Sequence, residues 1–176
     1  ETFSEAALIT YRVKVEILWF KRLCIESVGN LTALDEKLEK QLDSWISEFS
    51  VDDVKEIKSI EKEINHDVKA VEYFLKRKAR ESDNTFLKNH VEMFHFGCTS
   101  EDINNLAYAG MLRDARKKIL VPKLNLLIDI LKQLISSSAS LSMMSRTHGQ
   151  PASPTTLGKE LANYRRRVRA SRDHFI

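Results

Sequence analysis

Apolar residues recur at helical spacing along most of this 176-residue chain. In the first segment they include Leu8, Tyr11, Val15 and Leu18, close to the 3.6-residue period of an α-helix. The stripe resumes after each polar break, as in VDDVKEIKSIEKEI (51–64), for which Ser50 is the expected N-cap. No segment has the pattern of a strand. The sequence therefore predicts an all-α fold.

Composition excludes several classes of protein. The 28 basic and 25 acidic residues nearly cancel, leaving a net charge of +3, which does not favour nucleic-acid binding. Cys24 and Cys98 lie far apart and in no CxxC pair, so we expect no disulfide framework and no zinc site. A reducing cytoplasm is the natural location. No apolar run approaches the roughly 18 residues that a membrane helix needs, and no secretory signal is visible.

The two ends indicate that residues are missing. The chain begins with Glu1 rather than methionine, and it ends at Ile176 inside a helical pattern without a glycine or proline stop. We therefore expect a piece of a longer protein, in which any site is incomplete.

Three polar clusters interrupt the helical background, each at the predicted start of a helix. They are NHD (65–67), TSEDIN (99–104) and RTHGQPASP (146–154). A helix N-terminus presents unpaired N–H groups and the positive end of the helix dipole. Such ends bind phosphate or carboxylate without needing a basic side chain. The clusters are therefore candidate sites for an anionic ligand.

Each cluster also has a simpler structural interpretation. Thr99 and Asp102 have the spacing of a capping box, and Asp67 could cap its helix with His66 merely exposed. RTHGQPASP (146–154) could be a tight loop between helices. However, a glycine and two prolines around His148 favour a rigid passage that comes close to something else.

Other features have weaker signals. The other three histidines lie on predicted helical stretches without polar neighbours, and are expected to be structural or surface residues. They are His90, His95 and His174. The basic run RRRVRASR (165–172) is more typical of a solvated helix face or a subunit contact than of a nucleic-acid site. Pro122 is expected in the first turn of a helix that follows another ending near Lys118.

Together, HDVKAVEYF (66–74), TSEDINN (99–105) and SRTHGQPASPTTLGKE (145–160) resemble the signature regions of the bacterial adenylosuccinate lyase family. That family belongs to the fumarase/aspartase superfamily. The resemblance extends from about Phe3 into the last helix. NHDVKAVEYF (65–74) separates the family best from relatives such as fumarase and argininosuccinate lyase.

The resemblance implies an architecture. Residues 1–97 would form an N-terminal helical domain, and residues 98–176 the first part of a central helical bundle. Members of the family are homotetramers in which each active site is built from three subunits. The expected partner is therefore a small-molecule substrate together with further copies of the chain, with no nucleic acid and no membrane.

The resemblance also implies a reaction, the β-elimination of fumarate from adenylosuccinate, which gives AMP. The second substrate is the succinyl-carboxamide ribotide of purine biosynthesis. His148 matches the general acid, and an ordinary histidine pKa near 6.5 suits that task. Thr99 and Ser100 match residues that hold the substrate carboxylate. Other matches to substrate-binding positions are Asn65, His66, Asp67, Thr147 and Gln150. No cofactor and no metal are implied.

Two family segments have no counterpart in this sequence. The serine that serves as general base lies on a downstream loop with a serine-serine, methionine-proline and lysine signature, which does not occur here. The arginine-tyrosine segment that binds the phosphate is also missing. The 176 residues alone are therefore expected to be inactive. Another fumarate-releasing lyase of the superfamily and a non-catalytic helical scaffold are the alternatives.

Overall fold

The computed structural model describes residues 2–176, and the chain divides into two compact units between Leu112 and Arg113. Helices account for most of both units, which confirms the all-α prediction. The first unit contains α1 Glu5–Ile25, α2 Glu36–Ser47, α3 Val51–Ile64, α4 Asp67–Glu81, α5 Thr85–Asn89, a 3₁₀ turn Val91–Met93, and most of α6 Ser100–Ala115.

Side-chain caps explain where the first helices begin. The Ser4 hydroxyl accepts a hydrogen bond from the Ala7 N–H at 3.2 Å, and the Asp35 carboxylate accepts one from the Leu38 N–H at 2.7 Å. Ser50 caps α3 as predicted: with Asp53 it forms a complete capping box. Substituting such a cap by alanine typically costs about 1 kcal/mol.

The core of the first unit lies where α1 and α4 pack on the shorter helices. Its fully buried members share helical spacing in the sequence, and include Val13, Ile17, Phe20, Leu42, Ile57, Val71, Leu75 and Leu87. Each such side chain contributes about 1.5–3 kcal/mol when it leaves water. The apolar stripe of α2, with Leu38, Leu42 and Trp45, is buried.

The second unit begins in the last turn of α6 and continues through π-helical residues Arg116–Leu120 into α7 Val121–Ser137. Pro122 lies in the first turn of α7, as predicted. Because proline has no N–H and crowds the carbonyl four residues before it, the wider π turn at residues 116–120 accommodates it without a loop. The unit ends with β1 Ser142–Thr147, β2 Gln150–Thr156 and α8 Leu157–Phe175.

The prediction that no segment forms a strand is wrong at residues 142–156. Strands β1 and β2 pair antiparallel, with Thr147 opposite Gln150. The prolines of β2 argued against a strand, because proline has no N–H to donate to the hydrogen bonds of a sheet. In a two-stranded ribbon both strands are edges, so Pro151 and Pro154 are tolerated.

Helices α7 and α8 pack antiparallel, since Arg165 Nε donates to the Ile128 carbonyl at 3.1 Å and Arg172 Nη1 donates to Asn125 Oδ1 at 2.6 Å. At the start of α8, the Gly158 N–H donates to the Ser138 carbonyl at 3.0 Å. A Cβ atom on Gly158 would lie 2.7 Å from Ala139 Cα. The glycine therefore permits the close approach that joins the hairpin to both helices.

The clash that Gly158→Ala creates is with backbone that cannot rotate away, and should cost about 2–3 kcal/mol. Alanine regains at most about 1 kcal/mol over glycine in helix propensity, so we expect a net destabilisation of about 1–2 kcal/mol. Urea unfolding measures the change. The exposed Asn163→Ala on the same helix is the matched control and should stay within about 0.5 kcal/mol. Equal stabilities for both variants would contradict the packing described for Gly158.

Candidate active site

Two of the three polar clusters converge on one buried side chain, Arg12 of α1. Its Nη2 donates to Asp67 Oδ2 at 2.6 Å, and its Nε donates to Asn104 Oδ1 at 2.9 Å. Asp67 is the first residue of α4, and Asn104 lies near the start of α6. The planar guanidinium offers several fixed donors, so one residue can hold both segments. The NHD and TSEDIN clusters are thus brought together within the first unit.

The environment of Asp67 favours its charged form. Partial burial raises the pKa of its carboxyl group, but the hydrogen bond from the Val68 N–H and the charge and hydrogen bond of Arg12 outweigh burial. The net effect lowers the pKa of Asp67 below its ordinary value. Asp67 therefore remains ionised at neutral pH.

The expected roles of His66 and Asp67 are exchanged in the structure. His66, not Asp67, is the N-cap of α4: its Nδ1 accepts a hydrogen bond from the Lys69 N–H at 3.1 Å. Asp67 is instead held by Arg12. Because Nδ1 must be unprotonated to accept, the neutral ring carries its proton on Nε2. The His66 side chain is 50% exposed, so the imidazole can reach a ligand while it caps the helix.

Asn65 ends α3 in the left-handed conformation, with φ 54°. Asparagine tolerates this region better than most residues. Asn65, His66 and Asp67 line a cleft of about 760 Å³ together with Lys58, Glu61 and Lys62. Lys58 is paired with Glu5 and Glu61, whereas Lys62 makes no ion pair with another described residue. The cleft therefore presents a cation and an imidazole to an anionic ligand.

The predicted capping box at Thr99 is only half formed. Asp102 Oδ2 accepts a hydrogen bond from the Thr99 N–H at 2.8 Å, but the reciprocal bond from Asp102 N–H to the Thr99 hydroxyl is absent from the described residues. Thr99 is exposed and Ser100 is half-buried. Neither hydroxyl hydrogen-bonds another described residue, so both can bind a ligand at the positive end of α6.

His95 was expected to lie on a helical stretch without polar neighbours, and both parts of that expectation are wrong. It lies in a turn rather than a helix, and its Nδ1 is 2.6 Å from Oε1 of the fully buried Glu16. The hydrogen bond to Glu16 raises the pKa of His95, although partial burial opposes the change. Nearby, burial raises the pKa of Cys98 to about 11. No local signal could reveal the pair, because Glu16 is 79 residues away in sequence.

The third cluster lies in the second unit, at the tip of the β1–β2 hairpin. His148 and Gly149 form its two-residue loop, with φ 48° and 77°. Two consecutive positive φ values are typical of a type I′ turn, whose twist matches that of paired strands. Thr147 and Gln150 form the last pair before the loop. All four residues from Thr147 to Gln150 are exposed.

Hydrogen bonds hold the hairpin along its length. Arg146 Nη1 donates to the Gly149 carbonyl at 3.3 Å, and the Ser145 hydroxyl donates to the Ser153 carbonyl. At its base the Leu157 N–H donates to the Leu141 carbonyl at 2.9 Å, and the Thr156 hydroxyl caps α8. His148 is thus presented by a supported ribbon rather than by the rigid loop that was predicted.

Within residues 2–176, no cluster of three or more His, Cys, Asp or Glu side chains has a geometry that could hold a metal ion. Among the same residues, no helix is both long and apolar enough to cross a membrane.

A family profile described as "Lyase" matches residues 1–175. The chain belongs to this lyase family. Curated relatives include proteins named adenylosuccinate lyase. The protein from Legionella pneumophila (strain Corby) is 47% identical over 168 residues, which cover 95% of this chain and 36% of the relative. The protein from Escherichia coli (strain K12) is 44% identical over 162 residues, or 92% of this chain and 35% of the relative. The chain thus spans about a third of the length of these lyases.

Solved structures of other enzymes share the fold. A fumarate lyase from Mesorhizobium sp. BNC1 superposes with a TM-score of 0.77 at 16% identity, over 99% of this chain and 38% of its own. The β-carboxy-cis,cis-muconate cycloisomerase from Acinetobacter calcoaceticus sp. ADP1 gives 0.75 at 20% identity, over 98% and 38%. The resemblance to a lyase family that the motifs predicted is therefore confirmed, and the fold is one that these enzymes use.

Because Arg12 joins the two clusters, Arg12→Ala should destabilise the protein by about 2–4 kcal/mol. The substitution removes a charge-assisted bond to Asp67 and leaves the buried Asn104 amide without its donor. Urea unfolding with tryptophan fluorescence measures it. Arg22→Ala is the control on the same helix, because its pair with Glu26 is exposed and contributes less than about 1 kcal/mol. Similar losses for the two variants would contradict the bridging role of Arg12.

Proposed function

We propose that this chain is part of an adenylosuccinate lyase, a carbon–nitrogen lyase that releases fumarate from adenylosuccinate to give AMP. The second substrate proposed is the succinyl-carboxamide ribotide of purine biosynthesis. The observation that carries the proposal is that Arg12 hydrogen-bonds both the NHD and the TSEDIN cluster and so brings the two helix starts together. The names of the curated relatives support the same reaction.

The reaction requires two proton transfers. A base removes a proton from the carbon of the succinyl group, the carbon–nitrogen bond breaks, and an acid protonates the departing nitrogen. His148 is the proposed acid. The hairpin tip leaves its ring exposed, with both neighbouring strands paired, so the ring can be positioned against a substrate. The base is assigned to a residue outside these 176, by resemblance to the family.

The remaining residues are proposed to bind substrate. Thr99 and Ser100 would hold a carboxylate with hydroxyls that make no other hydrogen bond to described residues, helped by the first N–H groups of α6. His66, in its cleft with Asn65 and Asp67, would orient the leaving side of the substrate. Thr147 and Gln150 would contact it beside His148.

The complete enzyme is proposed to be a cytoplasmic homotetramer. α7 carries exposed apolar side chains that packing against further helices or subunits would cover, namely Leu126, Leu127, Ile130 and Leu134. Each active site would then be built from three subunits, as the family resemblance implies.

In the full-length protein, His148→Ala should lower kcat by roughly 10²-fold or more, because a positioned proton donor contributes about that factor. Fumarate release measured by ultraviolet absorbance tests this directly. His174→Ala is the matched control, since among the described residues that histidine bonds only the Ala170 carbonyl of its own helix. If the parent does not release fumarate from adenylosuccinate, the proposed function is wrong. If the parent is active and His148→Ala stays within threefold of it, His148 is not the acid.

Ser100→Ala should raise KM for adenylosuccinate several-fold while leaving kcat within about twofold. A hydroxyl that binds the ground state and the transition state equally contributes to KM alone. Steady-state kinetics on the full-length enzyme measure both constants. Ser136→Ala is the control, since it removes a hydroxyl whose one bond within the described part of the chain is to the Lys132 carbonyl. An unaltered KM in Ser100→Ala would show that Ser100 only begins α6.

A further inference from the structure

One face of α1 contacts three successive residues of the turn that leads into Thr99. Glu16, Trp19 and Phe20 are spaced i, i+3 and i+4, so they project from the same side of the helix. Glu16 Oε1 lies 2.6 Å from His95 Nδ1, and Trp19 Nε1 donates to the Phe96 carbonyl at 2.8 Å. The Phe20 ring stacks on the Phe94 ring with centroids 4.5 Å apart.

The turn itself has an unfavourable backbone. His95 has φ 63° and Gly97 has φ 71°, and the Cys98 N–H closes the turn on the His95 carbonyl at 3.2 Å. Gly97 adopts this region freely, but His95 is strained there, since a side chain with a Cβ is disfavoured at positive φ. Such a conformation persists only where the surrounding contacts hold it.

A buried carboxylate such as that of Glu16 is a poor choice if its only effect is to stabilise the turn. The Glu16 side chain is 0% exposed, and its Oε2 has no hydrogen-bond partner among the described residues. A buried carboxylate that is only half satisfied is costly, and an apolar residue of similar size is often as stabilising as a buried ion pair. The specific property of Glu16 is that it binds a ring nitrogen of His95 and so fixes the direction of the turn.

We propose that Glu16 is a positioning residue, which through His95 holds residues 94–98 so that Thr99 and Ser100 face the substrate. Glu16 itself does not touch the substrate. The proposal deepens the binding role of Thr99 and Ser100 and therefore rests on the function proposed above. Trp19 provides a second, uncharged hydrogen bond to the same turn, through the Phe96 carbonyl.

The pair has a pH dependence whose sign follows from its surroundings. His95 faces Glu16 from α1, and Lys69 and Glu72 from α4; Cys98 and Asp102 lie on the side of the turn that leads into α6. Glu72 is already paired with Lys69 and Lys76. The hydrogen bond to Glu16 raises the pKa of His95 despite partial burial. The ion pair is therefore complete below about pH 6.5 and is lost as pH rises through the raised pKa of the folded protein.

Three variants of the full-length enzyme test the proposal. Glu16→Gln keeps the shape and removes the charge, Trp19→Phe removes the second hydrogen bond and keeps the ion pair, and Glu26→Gln makes the same charge change at an exposed site. We expect Glu16→Gln to raise KM roughly tenfold, the loss expected for one charge-assisted bond, with a smaller change in kcat. It should also shift the alkaline limb of kcat/KM to lower pH. Trp19→Phe should raise KM without shifting the pH profile, and Glu26→Gln should change neither.

A KM within twofold of the parent in both Glu16→Gln and Trp19→Phe would overturn the proposal. So would equal pH profiles for Glu16→Gln and Trp19→Phe, because a purely structural role would loosen the turn alike in both. If Glu16→Gln fails to fold, Trp19→Phe decides by the same KM criterion.

A ligand-free measurement separates this inference from the proposed function. NMR titration of the imidazole signals should show the pKa of His95 lower in Glu16→Gln than in the parent, with faster amide exchange at residues 94–98. These changes are expected whether or not the parent releases fumarate. An unchanged His95 titration and unchanged exchange would contradict the positioning role even in an active enzyme.

Discussion

The arrangement of helices in the first unit depends on the hydrogen bonds of Arg12. A guanidinium buried at the middle of the domain must be paired, and its two partners, Asp67 and Asn104, come from segments far apart in sequence. The starts of α4 and α6 are therefore fixed relative to α1 by one side chain. Apolar packing alone would allow these helices to slide, because burial has no direction. A forked, charged donor does not allow this.

Arg12 belongs to a larger face of α1 that serves the candidate site. Glu16, Trp19 and Phe20 follow it at helical spacing and hold the turn before Thr99. The first helix thus contributes no residue of the three polar clusters, yet it places two of them. The same helix buries Val13 and Ile17 in the core, so the positioning contacts and the core share one rigid element.

A left-handed residue stands at or just before each polar cluster. Asn65 precedes His66, Gly97 precedes Thr99, and His148 with Gly149 forms the hairpin tip. At these points the chain reverses or ends one helix and begins another, which exposes unpaired backbone N–H groups and short polar side chains. Strained backbone concentrated at such segments is typical of functional sites, where the surrounding structure holds what the local sequence would not choose.

Much of the fold was predictable, and the reasons are local. The helices and the Ser50 cap follow from spacing and from single residues, and the three clusters were identified from their composition. The hairpin was missed because Pro151 and Pro154 hide the strand pattern, although His148-Gly149 satisfies the turn that such a hairpin needs. The sequence could not predict the hydrogen bonds of Arg12 to Asp67 and Asn104, or the contact between Glu16 and His95. Each of these contacts joins residues that are distant in sequence and share no pattern.

The most direct test is a crystal structure of the His148→Ala variant of the full-length protein with adenylosuccinate, the proposed substrate, bound. We expect a substrate carboxylate at the hydroxyls of Thr99 and Ser100 and His66 at the leaving side, with the Arg12 bonds to Asp67 and Asn104 intact. A ligand bound away from both the NHD and TSEDIN clusters, or an Arg12 that bonds neither partner, would contradict the site described here.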